Sequence, residues 1–90
     1  MVKKVLKFSA TWCGPCRVYH KTFENVSKID KYKDLEFKEL DADENEDDFE
    51  KYKIMSVPTT ILLNEKDEVI SSLSGNIPQQ ALTNFIDSNN

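Results

Sequence analysis

Glycine and proline are scarce in this chain, with two and three copies in 90 residues, and neither a low-complexity tract nor an internal repeat interrupts it. That scarcity leaves no room for a long flexible linker. The length suffices for one small core and not for two, so residues 1–90 are expected to form a single domain. Apolar runs are short, and none approaches the ~20 residues that span a bilayer. Met1-Val2-Lys3-Lys4 leads straight into a strand pattern and not into the apolar centre of a signal peptide. No membrane association and a cytoplasmic location are therefore the expectation. Basic residues are outnumbered, 12 against 16 acidic ones, for a net charge of -4. A surplus of carboxylates is drawn neither to nucleic acid nor to anionic lipid. Cysteine is limited to two copies and histidine to one. There is no set of cysteines for a stapling framework, which suits a reducing compartment, and no second Cys or His pair to complete a four-ligand zinc site.

What the chain does have is the run Thr11-Trp12-Cys13-Gly14-Pro15-Cys16-Arg17, which holds both cysteines. Reversible thiol and disulfide exchange needs two thiols close enough to bridge, one of them ionised at working pH. A three-residue spacing at the start of a helix meets both needs, because the unpaired N–H groups and dipole of the first turn stabilise a thiolate on the first cysteine. Cys13 is then the nucleophile and Cys16 the resolving thiol. Pro15 suits a first turn that has no use for its missing N–H, and Gly14 is expected to let the backbone turn tightly before it. Two alternatives stand beside this reading. His20 follows Cys16 by four residues on the same helical face, so a two-thiol, one-imidazole metal site is one. A purely structural bridge is the other, weakened because so small a loop removes little chain entropy.

Residues 3–10 alternate as a strand, with Val5, Lys7 and Ser9 on one face and Leu6, Phe8 and Ala10 on the other. From about Gly14 to Asp30 the apolar Val18, Tyr19, Phe23, Val26 and Ile29 recur at helical spacing. Leu35 to Leu40 is a second strand, parallel to the first through a right-handed crossover. The cysteine motif falls at the strand-to-helix turn, where open sheets place their ligands. Asp41 to Glu50 carries seven carboxylates in ten residues and reads as a solvated loop plus a short helix near 45–53, inset with Phe49 and Tyr52; a recognition surface for a basic partner is the alternative. A third strand follows Pro58 and runs to Leu63. Asn64 to Glu68 form a turn, Val69 to Ser74 an antiparallel fourth strand, and Gly75 a break. Pro78 opens a last helix with Ala81, Leu82, Phe85 and Ile86 inward.

The Trp12-Cys13-Gly14-Pro15-Cys16 run, the Val57-Pro58-Thr59 some forty residues later and the order of elements together resemble the thioredoxin family over nearly the whole chain. The strand and helix that usually precede the active-site strand are not in this sequence, whose outline is nearer the minimal core shared with glutaredoxins. The resemblance implies a β-α-β-α-β-β-α fold of the α/β class, with a four-stranded mixed sheet in the order 2-1-3-4 and helices on both faces. It implies a cis bond between Val57 and Pro58, with the Val57 backbone free to pair with an extended substrate. It also implies Trp12 as a flat apolar lip beside Cys13, and Gly75 and Thr59 on the same substrate-binding patch. The implied activity is reduction of protein disulfides through a Cys13–Cys16 couple, in a monomer. No bound cofactor is needed because the thiols carry the electrons, and an NADPH-dependent flavin reductase recharges the pair. A glutathione-coupled, glutaredoxin-like enzyme and a binding module with incidental redox chemistry are the alternatives.

The sequence departs from the family at one informative place. Six residues before the nucleophilic cysteine, where thioredoxins typically carry a buried aspartate, stands Lys7, and the usual lysine partner on the next strand is replaced by Glu39. The charges look exchanged. A lysine inside a parallel strand is costly to bury alone, so a facing carboxylate is a sensible compensation, whereas a lysine that snorkels to solvent would leave Glu39 merely exposed. A buried Lys7 charge would favour thiolate over thiol and make the couple less reducing than an aspartate would. Glu39 becomes the candidate for the proton transfer ordinarily assigned to that aspartate.

Overall fold

A strand that carries buried side chains on both faces has to lie inside a sheet covered twice. The computed structural model of the chain, which describes residues 1–90, puts the first strand there. Strand β1 (Lys4–Ser9) pairs in parallel with β2 (Glu36–Asp41) and antiparallel with β3 (Thr59–Leu63), and β4 (Val69–Ser74) closes a sheet of order β2-β1-β3-β4. Helix α1 (Gly14–Ser27) links β1 to β2, α2 (Glu46–Lys51) precedes β3, and α3 (Gln79–Ser88) follows β4. Architecture and strand order are those expected from the sequence.

The alternation along β1 divides the core in two. Val5 packs with Tyr19, Phe23 and Val26 of α1, with Leu62, and with Leu82 and Ile86 of α3. On the opposite face Leu6 and Phe8 meet Leu40, Ile61 and Leu63, with Phe49, Tyr52 and Ile54 from the α2 region laid over them. The Phe8 and Phe49 rings meet edge to face at 5.1 Å, a favoured aromatic geometry. The acidic segment thereby turns two aromatic residues inward. Glu46, Asp47 and Asp48 occupy the first turn of α2, where the helix dipole favours negative charge.

Local departures from the sequence reading have local causes. The buried face of α1 is Cys16, Tyr19, Phe23 and Val26; Val18, grouped with them by its apolar character, lies one residue off that stripe and is 62% exposed. The helix stops at Ser27 and not near Asp30, because Ile29 takes extended backbone and a 3-10 turn follows at Asp30–Tyr32. That turn brings Tyr32 into the core with Ile29 packed against it, and Leu35 closes the turn through a hydrogen bond from its N–H to Tyr32 O, 2.9 Å, before β2 begins. Of the residues expected inward on α3, Leu82 and Ile86 are buried while Ala81 and Phe85 are only partly so. In the β3–β4 turn, Asn64 Oδ1 accepts from the backbone N–H groups of Lys66 and Glu68, and Asp67 takes a left-handed φ of 61°, a conformation aspartate tolerates better than most residues.

One polar pair is sealed in the core. The Tyr19 and Thr60 hydroxyls, both on fully buried residues, lie 2.6 Å apart. Tyr19→Phe strands the Thr60 hydroxyl, so it is expected to lower unfolding stability by about 1–3 kcal/mol. Adding Thr60→Val removes both partners and should recover most of that loss. Urea unfolding of the two variants and the wild type measures this; equal stability of all three proteins would show that the hydroxyl pair contributes nothing.

Candidate active site

The turn from β1 into α1 builds the site. Cys13 is the N-cap of α1, with extended backbone (φ -95°, ψ 110°), and its sulfur accepts a hydrogen bond from the Cys16 backbone N–H at 3.2 Å. The sulfur thus sits on one of the N–H groups that a helix start leaves unpaired. Cys13 and Cys16 are joined as a disulfide, their Cα atoms 5.3 Å apart, and both residues are buried, packed with Ala10 against Ala42 and Val57. Pro15 lies in the first turn, where its missing N–H costs nothing. Gly14 differs from expectation. It has no left-handed backbone, and a Cβ there would meet nothing within 4 Å, so the turn does not require glycine.

Around Cys13 the structure gathers several of the residues singled out in the sequence. Cys13 Sγ lies 3.8 Å from the carbonyl oxygen of Val57, within reach of a reduced thiol's S–H, and the Val57–Pro58 bond is cis. Gly75, at φ 102°, donates its N–H to Pro58 O at 2.8 Å, which ties the end of β4 to the same loop. Thr59 is buried at the head of β3, its hydroxyl donating to Ser56 O at 2.7 Å. Trp12 is 69% exposed, and so is Met55, at 93%, two residues before Val57. Arg17 donates from Nη2 to Thr11 O at 3.1 Å, bracing the loop that carries Trp12.

Cys16 has a different neighbourhood. It lines an open cleft of about 640 Å³ with Arg17, His20, Glu39, Asp41 and Glu44. Beneath the cleft Lys7 is fully buried, and register pairs it with Glu39 on β2. Its ammonium lies 2.5 Å from Glu39 Oε2 and 3.0 Å from His20 Nδ1, with the Phe23 ring 5.3 Å away. Lys7 does not snorkel; the exchanged charge pair forms. A charged lysine donates and cannot accept, so His20 Nδ1 is the acceptor in this contact. Glu39 also lies 3.4 Å from the Ser9 hydroxyl, which donates to it, and 3.5 Å from His20 Nδ1. Burial on its own would raise the Glu39 carboxyl, but the Lys7 hydrogen bond and charge hold it below its ordinary value. With a carboxylate so near, Lys7 presents half of a dipole and not a bare positive charge.

The sequence had marked His20 only as a metal-ligand candidate. Its ring is instead turned to Lys7 and Glu39, and no cluster of three His, Cys, Asp or Glu side chains is arranged for a metal ion. The signal for its true neighbours was a lone histidine one helical turn beyond Cys16, above a strand that carries an inward lysine.

Glu39→Gln leaves the buried ammonium without its anion. Breaking a buried pair costs about 3–5 kcal/mol, and the half-exposed Glu39 side chain places this loss near or below the low end, at about 2–3 kcal/mol. Because the carboxyl is held below its ordinary 4.5, the stability it adds is fully present above that pH and is lost as pH falls through its lower folded value. Urea titrations of wild type and Glu39→Gln should therefore differ by a constant amount at neutral pH and converge only as pH falls well below 4.5. A gap unchanged in strong acid would show that the carboxylate is not coupled to Lys7.

The thioredoxin family model matches residues 2–88. Thioredoxin H2 of Arabidopsis thaliana is 35% identical over 65 residues, 72% of this chain and 47% of that protein, so the chain spans about half the length of that relative. The thioredoxin of Listeria monocytogenes is 33% identical over 79 residues, 88% of this chain and 75% of that protein. Among solved structures, Fasciola hepatica thioredoxin superposes with a TM-score of 0.86 at 29% identity, covering 97% of this chain and 80% of that one. A family match over almost every residue, on the same mixed sheet with a Cys-Gly-Pro-Cys pair at the start of α1, means that this chain belongs to the thioredoxin family.

Proposed function

We propose that this chain is a thiol-disulfide oxidoreductase that reduces disulfides in protein substrates, working as a single thioredoxin-like unit. The observation that carries the proposal is the helix-capping Cys13 sulfur, bonded to Cys16 and held beside the Val57 carbonyl and the exposed Trp12. In the reduced protein the Cys13 thiolate attacks a substrate disulfide, and one substrate sulfur leaves. Cys16 then attacks Cys13 in the mixed disulfide, releasing the second substrate sulfur and closing the Cys13–Cys16 bridge. Thiolate chemistry is favoured at Cys13, not Cys16, because only Cys13 accepts a backbone N–H at the positive end of the helix.

The docking surface in this reading is the strip of Trp12, Val57, Pro58, Thr59 and Gly75, with the backbone of Val57 offered to an extended segment. An external dithiol must return the bridge to two thiols. A flavin reductase drawing on NADPH is the donor class that the family suggests, and a reducing compartment such as the cytoplasm is where the cycle would run. No helix is long and apolar enough to cross a membrane.

The assay is reduction of insulin disulfides by dithiothreitol. The wild-type chain should accelerate it, and Cys13→Ser should abolish the acceleration, a loss of at least about 100-fold, in keeping with removal of an activated nucleophile. Cys16→Ser should instead accumulate a mixed disulfide on Cys13, visible by mass spectrometry. Acceleration by glutathione and its reductase alone would shift the electron donor to glutathione. A folded wild-type chain with no effect in either assay would refute the reductase, and biological activity kept by the Cys13→Ser, Cys16→Ser protein would then establish a binding module.

A further inference from the structure

The resolving step needs a place for a proton, and the two cysteines stand on different sides of that need. Cys13 faces the Val57 carbonyl, whereas Cys16 is the cysteine that lines the cleft. The groups that face His20 there are Lys7 from β1, Glu39 from β2 and Glu24 from its own helix, whose Oε2 is 3.8 Å from Nε2; Arg17, Asp41 and Glu44 line the rest of the cleft. Imidazole is the side chain whose charge ordinarily changes between about pH 5 and 8. His20 is the chain's one histidine, and it sits one helical turn from Cys16.

Resting on the disulfide-reductase reading, we infer that His20 is the proton relay for Cys16, held in the accepting tautomer by Lys7 and backed by Glu39. When Cys16 attacks the mixed disulfide, its Sγ–H gives up a proton, Sγ bonds to Cys13 Sγ, and the bond from Cys13 to the substrate sulfur breaks. The substrate sulfur leaves as a thiolate with that electron pair and takes a proton from solvent. The proton from Cys16 crosses the cleft to His20 Nδ1. Lys7 then gives up its bond to Nδ1 and keeps the one to Glu39, and the new Nδ1–H turns to Glu39, 3.5 Å away. Solvent takes the proton from the half-exposed ring and resets the site. Lys7 and Glu39 are positioning residues, for they act through His20.

The test is the reaction of the reduced protein with Ellman's disulfide, which releases one thionitrobenzoate when the Cys13 thiolate attacks the reagent and a second when Cys16 resolves the adduct. The rate of the second release is read by stopped flow across about pH 5 to 9. In the wild type it should rise with pH through an inflection that His20→Ala lacks, with the variant at least about tenfold slower near neutrality, and added imidazole should restore part of the rate. His20→Gln separates proton transfer from scaffolding. Its amide oxygen can still accept from Lys7 but takes up no proton, so it should be as slow and as flat as His20→Ala. A His20→Gln profile equal to the wild type would overturn the relay while leaving the reductase intact. A wild-type protein that releases only one thionitrobenzoate would overturn the reductase reading, and the relay with it.

Discussion

An ammonium group lies at the centre of a strand covered on both faces, and its neutralisation constrains much of what surrounds it. Lys7 is fully buried, and an isolated charge there would cost several kcal/mol, a sizeable part of the stability of so small a domain. The compensation comes from two separate elements, Glu39 on β2 and His20 on α1. Register is one consequence. Shifting β2 by one residue would set Lys38 or Leu40 opposite Lys7 and turn the inward side chains of the strand to the wrong face. The helix phase is another, because the same stripe of α1 that buries Cys16, Tyr19 and Phe23 must leave His20 at its edge, within reach of the strand.

This arrangement gives the two sulfurs unlike surroundings within a single helical turn. Cys13 has a backbone N–H on one side and the Val57 carbonyl on the other, next to an exposed aromatic residue. Cys16 opens on a polar cleft lined by His20 and by Glu39, the partner of the buried Lys7. The apolar packing of Ala10, Ala42 and Val57 around the bridge lowers the local dielectric and so strengthens each of these contacts. The polarity needed for proton exchange is thus kept to one side of the bridge, and the apolar contact surface to the other.

The acidic segment between β2 and β3 has a structural explanation of its own. Three of its carboxylates, Glu46, Asp47 and Asp48, occupy the positive end of α2, while Phe49 and Tyr52 close the second core layer against Phe8. Glycine use is equally economical. Gly75 needs its left-handed backbone to reach Pro58, whereas no left-handed backbone or close contact calls for glycine at position 14.

Much of this was determined by the sequence alone. Alternation along residues 3–10 set the two faces of β1, the spacing of Tyr19, Phe23 and Val26 set the buried stripe of α1, and Cys13-Gly14-Pro15-Cys16 marked a helix start carrying a reactive pair. These are local patterns, and periodicity records which way a side chain points. Even the opposition of Lys7 and Glu39 was expected, through the resemblance to a family that carries an aspartate and a lysine at those two positions. Tertiary structure decided the rest. Val18 is apolar yet outward, because the phase of the helix is set by everything it packs on; Ile29 leaves the helix to reach a core assembled from four elements. Whether Lys7 snorkelled or paired depended on how closely β1, β2 and α1 approach, and so did the turn of His20 toward it. Three side chains from three elements meet at distances that no local pattern contains, and only the packed fold brings them together.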